Sequence, residues 1–183
     1  MDPTLYVVLD RAAARGRSLD DLLEALIDGG CRMVQLREKE WPSGRLLLVA
    51  ERLLARARRA GITFIVNDRV DLAVAVGADG VHLGQDDLPA RAARPLLRPG
   101  MILGVSTHSV AQAHAARDDG ADYVAVGSMF ATATKPDFEL VGPVSPSSRT
   151  TVWTLPWPSG PTASIWDRTT FRHAWRGRCC ARA

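Results

Sequence analysis

Short apolar runs alternate with longer amphipathic segments from residue 4 to residue 130. The apolar runs are rich in Val, Ile and Leu and end in polar or glycine-containing turns, which predicts buried β-strands. The segments between them repeat apolar residues every three or four positions, which predicts helices that bury one face. We expect strands at 5–10, 33–37, 64–68, 80–84, 101–106 and 123–127. We expect helices at 18–30, within 43–60, at 69–77, around 88–97 and at 109–120.

Near-continuous apolar strands that are each followed by a helix indicate a parallel sheet covered by helices. Six such units fit either a doubly wound sheet or a TIM (β/α)8 barrel. No GxGxxG turn follows the first strand, and the units are short and regularly spaced, which favours the barrel. The fold class is therefore predicted to be α/β, a (β/α)8 barrel with about six units recognisable and the last two lost or replaced.

The pattern stops near residue 142, which divides the chain into a barrel domain at 1–142 and an atypical tail at 143–183. The tail holds four of the five tryptophans, five of the eleven prolines and two of the three cysteines. A barrel without its last two strands exposes unpaired edges. We expect the tail to be an out-of-frame translation of the last two units; the alternative is a genuine Pro/Trp/Arg-rich extension.

The net charge of +3 reflects the tail, which has six arginines and one acidic residue, Asp167. Residues 1–142 carry a small net negative charge, so the basic composition is poor evidence for nucleic-acid binding. The chain has no apolar run of the roughly 18 residues that a membrane span needs, and its first residues do not resemble a signal peptide. We expect a cytoplasmic protein with small-molecule partners, no nucleic acid or membrane, and a possible homo-oligomer.

Carboxylates lie at the ends of two neighbouring predicted strands, Asp68 at the end of the third and Asp87 at the end of the fourth. Because a barrel collects the carboxyl ends of its strands on one face, the two groups should converge there. Mg²⁺ takes one or two protein oxygens and fills its other positions with water and phosphate. The alternative role is helix capping, which is open for Asp68 and favoured for Asp86.

Several groups that suit a polyanion follow other strands. Arg37 and Lys39 follow the second strand, and the hydroxyls of Ser106 and Thr107 end the fifth. The stretch 127–135, GSMFATATK, joins a glycine turn to hydroxyls and a lysine, as in a phosphate-binding loop. Each signal is weak alone, because residues 37–40 (REKE) could be a solvated charge run. Their common location on one barrel face predicts a phosphate site.

The histidines give little support for acid–base or nucleophilic catalysis. His82 lies within a strand and His114 within a helix, which indicates structural roles, and His173 is in the tail. His108, beside Ser106 and Thr107, is the one that could act as an acid or base. No serine–histidine–acid or cysteine–histidine arrangement is evident.

Six motifs together resemble the thiamine-phosphate synthase family over roughly residues 4–140. They are QLREK (35–39), NDRVDLA (67–73), GADGVHLGQDDLP (77–89), GVSTHS (104–109), GADYVAVGSMF (120–130) and TATKPD (132–137). The resemblance implies a transferase that joins 4-amino-2-methyl-5-diphosphomethylpyrimidine to a thiazole phosphate and releases pyrophosphate. The family's glycine-rich stretch and last strand are not recognisable after Pro143.

The resemblance also implies a role for ten side chains, with Mg²⁺ as cofactor. These are Gln35, Arg37, Lys39, Asn67, Ser106 and Lys135 for the pyrimidine diphosphate, Thr132 and Thr134 for the thiazole phosphate, and Asp68 and Asp87 for the metal. Of these, Lys135, Ser106 and Arg37 would be catalytic. Two alternatives remain: a thiazole tautomerase-like barrel that uses His108, or an inactive truncated remnant.

Overall fold

The computed structural model describes residues 5–127 and the backbone of a short strand at 153–156. The strands are β1 (Tyr6–Asp10), β2 (Met33–Arg37), β3 (Thr63–Asn67), β4 (Gly80–Leu83), β5 (Ile102–Thr107), β6 (Tyr123–Val126) and β7 (Trp153–Pro156). The helices are α1 (Leu19–Asp28), α2 (Ser43–Arg59), α3 (Val70–Val76), α4 (Ala90–Ala93) and α5 (Val110–Asp118), with a 3₁₀ turn at Arg94–Leu96.

The first six strands are parallel, and each pairs with its neighbour in the chain. A doubly wound sheet would reverse its strand order at a switch point, and these six strands do not. They form a half-barrel of α/β class. β7 then pairs antiparallel with β6, with position 153 opposite Val126. The hydrophobic pattern of the tail does not predict this strand.

Each of the six predicted strands is confirmed to within one residue at either end. α1 begins as predicted, because the Ser18 hydroxyl accepts hydrogen bonds from the backbone N–H groups of Asp20 and Asp21. The helix expected around 88–97 is shorter. It becomes a 3₁₀ turn that contains Pro95, which has no N–H to continue the helical ladder.

The sheet buries side chains on both faces. Between the sheet and the helices lies the main core, in which Phe64, Leu103 and Val124 are fully buried. The opposite face holds a smaller cluster centred on Met33, Ile65 and Tyr123. No helix among the described residues is long and apolar enough to cross a membrane.

Gly80, at the start of β4, lies between its strand partners Ile65 on β3 and Ile102 on β5 and has no room for a side chain. A Cβ there would lie 2.4 Å from the Ile102 carbonyl oxygen and 2.8 Å from Ile65 Cδ1. We expect Gly80→Ala to lower the free energy of unfolding by about 1–3 kcal/mol, because backbone cannot move aside as a flexible side chain can. Urea denaturation followed by circular dichroism would measure this loss.

Gly44, near the start of α2, provides the matched control. A Cβ at Gly44 would meet nothing within 4 Å. Gly44→Ala is expected to leave stability unchanged or raise it by about 0.5 kcal/mol, because alanine favours the helix. Equal losses in both variants would contradict the close packing at Gly80.

Candidate active site

The end of β3 places Asn67 and Asp68 at the carboxyl edge of the sheet. Asp68 has a φ of 62°, in the left-handed region that Asp and Asn tolerate better than most residues. Its backbone N–H donates to the His82 carbonyl oxygen at 2.8 Å, which ties the turn to β4. The N-cap of α3 is Arg69, and no side chain caps this helix. Asp68 is therefore not the helix cap that the sequence left open.

Asp87 approaches Asp68 from the turn after β4. Its Oδ2 accepts a hydrogen bond of 2.6 Å from the Gly84 N–H, and its carboxyl group lies beside that of Asp68, close enough to interact with it directly. The predicted capping role of the adjacent Asp86 is wrong, because α4 begins after Pro89 and has no side-chain cap. The two carboxylates that were expected to converge do so.

Burial and the neighbouring carboxylate both raise the pKa of Asp68, burial being the larger cause. The Lys39 ammonium lies 3.2 Å from Asp68 Oδ2 and acts in the opposite direction. Its effect does not reverse the shift, and more than half of the lysine side chain is exposed. The pair therefore retains a local excess of negative charge that a further cation would neutralise.

The donor set limits which metal could bind here. No group of three or more His, Cys, Asp or Glu side chains within residues 5–127 could enclose an ion. Zn²⁺ sites in proteins normally use three or four such ligands, whereas Mg²⁺ often binds one or two carboxylates plus water and phosphate oxygens. The two carboxylates of Asp68 and Asp87 therefore suit Mg²⁺ better than Zn²⁺.

Arg37, at the end of β2, is held by a carboxylate that the sequence analysis missed. Its Nη1 pairs with Asp10 Oδ2, and Asp10 Oδ1 accepts hydrogen bonds from the N–H groups of Ala12 and Ala13. Burial opposes the ionisation of Asp10, but the bonds from Ala13 and Arg37 outweigh it and lower its pKa. Asp10 ends a predicted strand, as Asp68 does, so the same positional signal could have identified it.

The loop after β2 is more than a solvated charge run. The Glu38 side chain is only 3% exposed, and its carboxylate accepts a 2.7 Å hydrogen bond from Arg11 Nε in the loop after β1. The guanidinium groups of Arg11 and Arg45 both lie over the Trp41 ring, with carbon-to-centroid distances of 5.7 and 4.2 Å. These contacts tie the first two loops together beside Lys39.

Five side chains on the inner face of the sheet form a continuous hydrogen-bonded series, which we call the interior chain. Gln35 Nε2 lies 2.5 Å from the Tyr6 hydroxyl, and the Tyr6 and Tyr123 hydroxyls are 2.9 Å apart. The Tyr123 hydroxyl is 2.9 Å from His82 Nδ1, and His82 Nε2 is 2.8 Å from Ser106 Oγ. The interior chain thus connects Gln35 and Ser106, two of the predicted substrate ligands, through three residues that the sequence did not assign to the site.

Ser106 belongs to the interior chain, whereas Thr107 and His108, which follow it in the sequence, make other hydrogen bonds. Thr107 is fully buried and its hydroxyl donates to the Ala125 carbonyl oxygen at 3.3 Å, so the expectation that it serves a polyanion is wrong. The His108 backbone N–H donates to the Gln112 side chain at the start of α5. Ser106 is further fixed by Gln85, whose Nε2 donates to the Ser106 carbonyl oxygen at 2.6 Å.

Seven of the ten predicted site residues lie in the described part of the chain, at or near the carboxyl ends of β2 to β5. Direct contacts join Lys39, Asp68 and Asp87, and the interior chain joins Gln35 to Ser106. Thr132, Thr134 and Lys135 lie outside the described residues, as does the glycine turn expected to form a phosphate loop beyond residue 127.

Comparisons with known proteins show which family this chain resembles. Residues 5–157 match the family model described as thiamine monophosphate synthase. Thiamine-phosphate synthase of Roseiflexus castenholzii is 50% identical over 133 residues, which are 73% of this chain and 58% of the relative. Thiamine-phosphate synthase of Chloroflexus aurantiacus is 51% identical over 137 residues, 75% of this chain and 63% of the relative.

A solved structure shows the same fold. Thiamine phosphate pyrophosphorylase from Pyrococcus furiosus superimposes with a TM-score of 0.66 and 34% sequence identity, over 75% of this chain and 64% of the other. The chain thus spans about three fifths of the length of these relatives.

Proposed function

The chain belongs to the thiamine monophosphate synthase family, and from this we propose that it is a transferase of thiamine biosynthesis. It would condense 4-amino-2-methyl-5-diphosphomethylpyrimidine with 4-methyl-5-(2-phosphoethyl)thiazole to give thiamine phosphate and pyrophosphate. The observation that carries the proposal is the contact between Asp68 and Asp87, with Lys39 at 3.2 Å, where the strands end. A diphosphate bound through a divalent cation needs such a site.

Asp68 and Asp87 are the residues that would hold Mg²⁺. Bound there with the substrate, the ion would neutralise negative charge on the diphosphate and make pyrophosphate a better leaving group. The raised pKa of Asp68 supports this role, because a cation would relieve the repulsion between the two carboxylates.

Arg37 and Lys39 would bind the diphosphate and stabilise the charge that develops as it leaves. The bond between the pyrimidine methylene carbon and the diphosphate oxygen breaks, and pyrophosphate departs with the bonding electron pair. The thiazole nitrogen then supplies its lone pair to the methylene carbon and forms the new C–N bond. This reaction needs no nucleophilic side chain, which agrees with the absence of an evident one in the sequence.

The remaining predicted ligands complete the proposal. Gln35, Asn67 and Ser106 would contact the pyrimidine diphosphate from β2, β3 and β5, and Lys135 would join Arg37 and Ser106 as a catalytic group. Thr132 and Thr134 would bind the thiazole phosphate. The six described parallel strands would correspond to the first six units of a (β/α)8 barrel, on whose carboxyl-terminal face all these residues would meet.

A coupling assay on the purified 183-residue chain tests the function. With both substrates and Mg²⁺, we expect thiamine phosphate and pyrophosphate in equal amounts, and neither product when the metal is chelated. The R. castenholzii relative, assayed in parallel, shows that the substrates and conditions support turnover. Absence of both products with this chain alone would identify it as an inactive remnant, and conversion of the thiazole substrate without the pyrimidine would favour a tautomerase.

A further inference from the structure

One order of hydrogen-bond donation along the interior chain begins at Gln35. The Gln35 side-chain nitrogen can only donate, so the Tyr6 oxygen accepts its hydrogen at 2.5 Å. Tyr6 has a single hydroxyl hydrogen, which in this order points to the Tyr123 oxygen at 2.9 Å. The Tyr123 hydrogen in turn is directed to His82 Nδ1 at 2.9 Å.

This order fixes the groups at both ends. Because His82 Nδ1 accepts, the ring hydrogen lies on Nε2, which donates to Ser106 Oγ at 2.8 Å. Ser106 therefore keeps its own hydroxyl hydrogen for another acceptor. At the other end, no hydrogen bond from residues 5–127 reaches the Gln35 carbonyl oxygen, although this side chain is only 5% exposed.

We propose that Tyr6 and Tyr123 are positioning residues that set this order of donation, so that Ser106 presents a hydrogen-bond donor and Gln35 an acceptor to the same bound heterocycle. The ligand rests on the proposed function: an aminopyrimidine carries amino hydrogens for an acceptor and ring nitrogens for a donor. Neither tyrosine needs to touch the ligand. Each acts through the residue that it orients.

Packing holds the interior chain in place. The Tyr123 ring stacks on His82 with centroids 5.5 Å apart and an interplanar angle of 28°. Gly104 on β5 leaves room for that ring, since a Cβ there would lie 2.1 Å from Tyr123 Cζ. Burial raises the pKa of Tyr6 to about 12 and that of Tyr123 well above its usual value, so both hydroxyls keep their hydrogens at neutral pH.

The opposite order is chemically possible and makes a different prediction. If Tyr123 donated to Tyr6, the ring hydrogen of His82 would have to lie on Nδ1, and Ser106 would donate to Nε2. The Tyr6 hydrogen would then lack an acceptor among the described residues, which is uncommon for polar groups inside proteins. The tautomer of His82 therefore distinguishes the two orders.

Nuclear magnetic resonance of the full chain labelled with ¹⁵N-histidine measures this tautomer without any ligand. His82→Gln identifies the His82 signals by their loss. We expect the hydrogen on Nε2 in the unmodified chain and in Tyr6→Phe, where Tyr123 still donates to His82. In Tyr123→Phe the Nδ1 signal should shift, because its donor is gone. A hydrogen on Nδ1 in the unmodified chain, or an Nδ1 signal unchanged in Tyr123→Phe, would overturn the proposal.

Calorimetric titration with the pyrimidine diphosphate and Mg²⁺ tests the positioning role. Tyr123→Phe keeps the stacked ring and should bind roughly tenfold more weakly, the loss expected when one oriented hydrogen bond is released. Thr107→Val, which removes a buried hydroxyl on the same strand but outside the interior chain, should bind as the unmodified chain does. Equal affinity in Tyr123→Phe and the unmodified chain would refute positioning. If the unmodified chain does not bind this ligand, the proposed function fails, and the tautomer still decides the order of donation.

Discussion

Replacing either Asp68 or Asp87 with asparagine should lower Mg²⁺-dependent turnover by at least about 100-fold, because each variant loses half of the carboxylate charge available to the metal. Asparagine is the informative substitution at both positions. At Asp68 it tolerates the φ of 62°, which alanine would not. At Asp87 it keeps an oxygen that can accept the hydrogen bond from the Gly84 N–H. The measurement is pyrophosphate release at increasing Mg²⁺ concentration.

Asp86→Asn is the matched control, since Asp86 is an exposed carboxylate next to Asp87 and does not cap α4. It should retain the turnover and the Mg²⁺ dependence of the unmodified chain. Asp68→Asn or Asp87→Asn with unmodified Mg²⁺ dependence would remove these residues from the metal site. Equal losses in all three variants would show that the effect is one of total charge and not of the contacting pair.

Asp68→Asn should make the fold more stable although it lowers the activity. Without metal, the contact between the two carboxylates is repulsive, so Asp68→Asn should raise the free energy of unfolding by about 0.5–1 kcal/mol. The lost pair with Lys39 offsets little of this gain, because that ammonium is largely exposed. A higher melting temperature together with lower turnover is typical of residues that serve binding at the expense of folding.

The sequence predicts the strands well because most of them are buried on both faces. The stretch Phe64–Val66 packs against the helices on one face and against the inner cluster on the other, so every position in it is apolar. The helix around 88–97 was predicted too long, because apolar spacing continues past Pro95 while the backbone hydrogen bonds cannot. The antiparallel strand β7 forms by pairing with β6, and the hydrophobic pattern within β7 itself gives no information about that pairing.

Candidate site residues could be predicted from the sequence where they lie at the end of a strand. Asp68 and Asp87 share that position, and the parallel sheet brings their carboxyl groups into contact. His82 was assigned a structural role because it alternates with apolar residues, and Ser106 and Tyr123, to which it is hydrogen-bonded, lie 24 and 41 residues away. Tyr6 and Tyr123, which are 117 positions apart, give no local signal at all. Polar residues on the inner face of the sheet become recognisable only when the strands are placed side by side.

Arg37→Gln is expected to lower kcat/KM for the coupling reaction by about 100-fold, since a cation aimed at the leaving diphosphate stabilises charge that develops in the transition state. Arg37→Lys keeps the charge but loses the planar fork, so an intermediate loss is expected. Asp10→Asn should lose less than Arg37→Gln, because it weakens the orientation of the guanidinium without removing it. Steady-state kinetics on the three variants measures the order.

Arg52→Gln separates catalysis from stability in this series. Arg52 on α2 makes a two-point ion pair with Asp20 on α1, with N–O distances of 2.9 and 2.7 Å, away from the strand ends. The substitution removes the same charge and breaks a comparable pair, so it should affect the melting temperature as Arg37→Gln does and leave kcat/KM unchanged. Equal losses of kcat/KM in Arg37→Gln and Arg52→Gln would mean that Arg37 only supports the fold. A loss confined to Arg37→Gln would place its guanidinium on the diphosphate, because Arg52 matches it in charge and pairing but not in position.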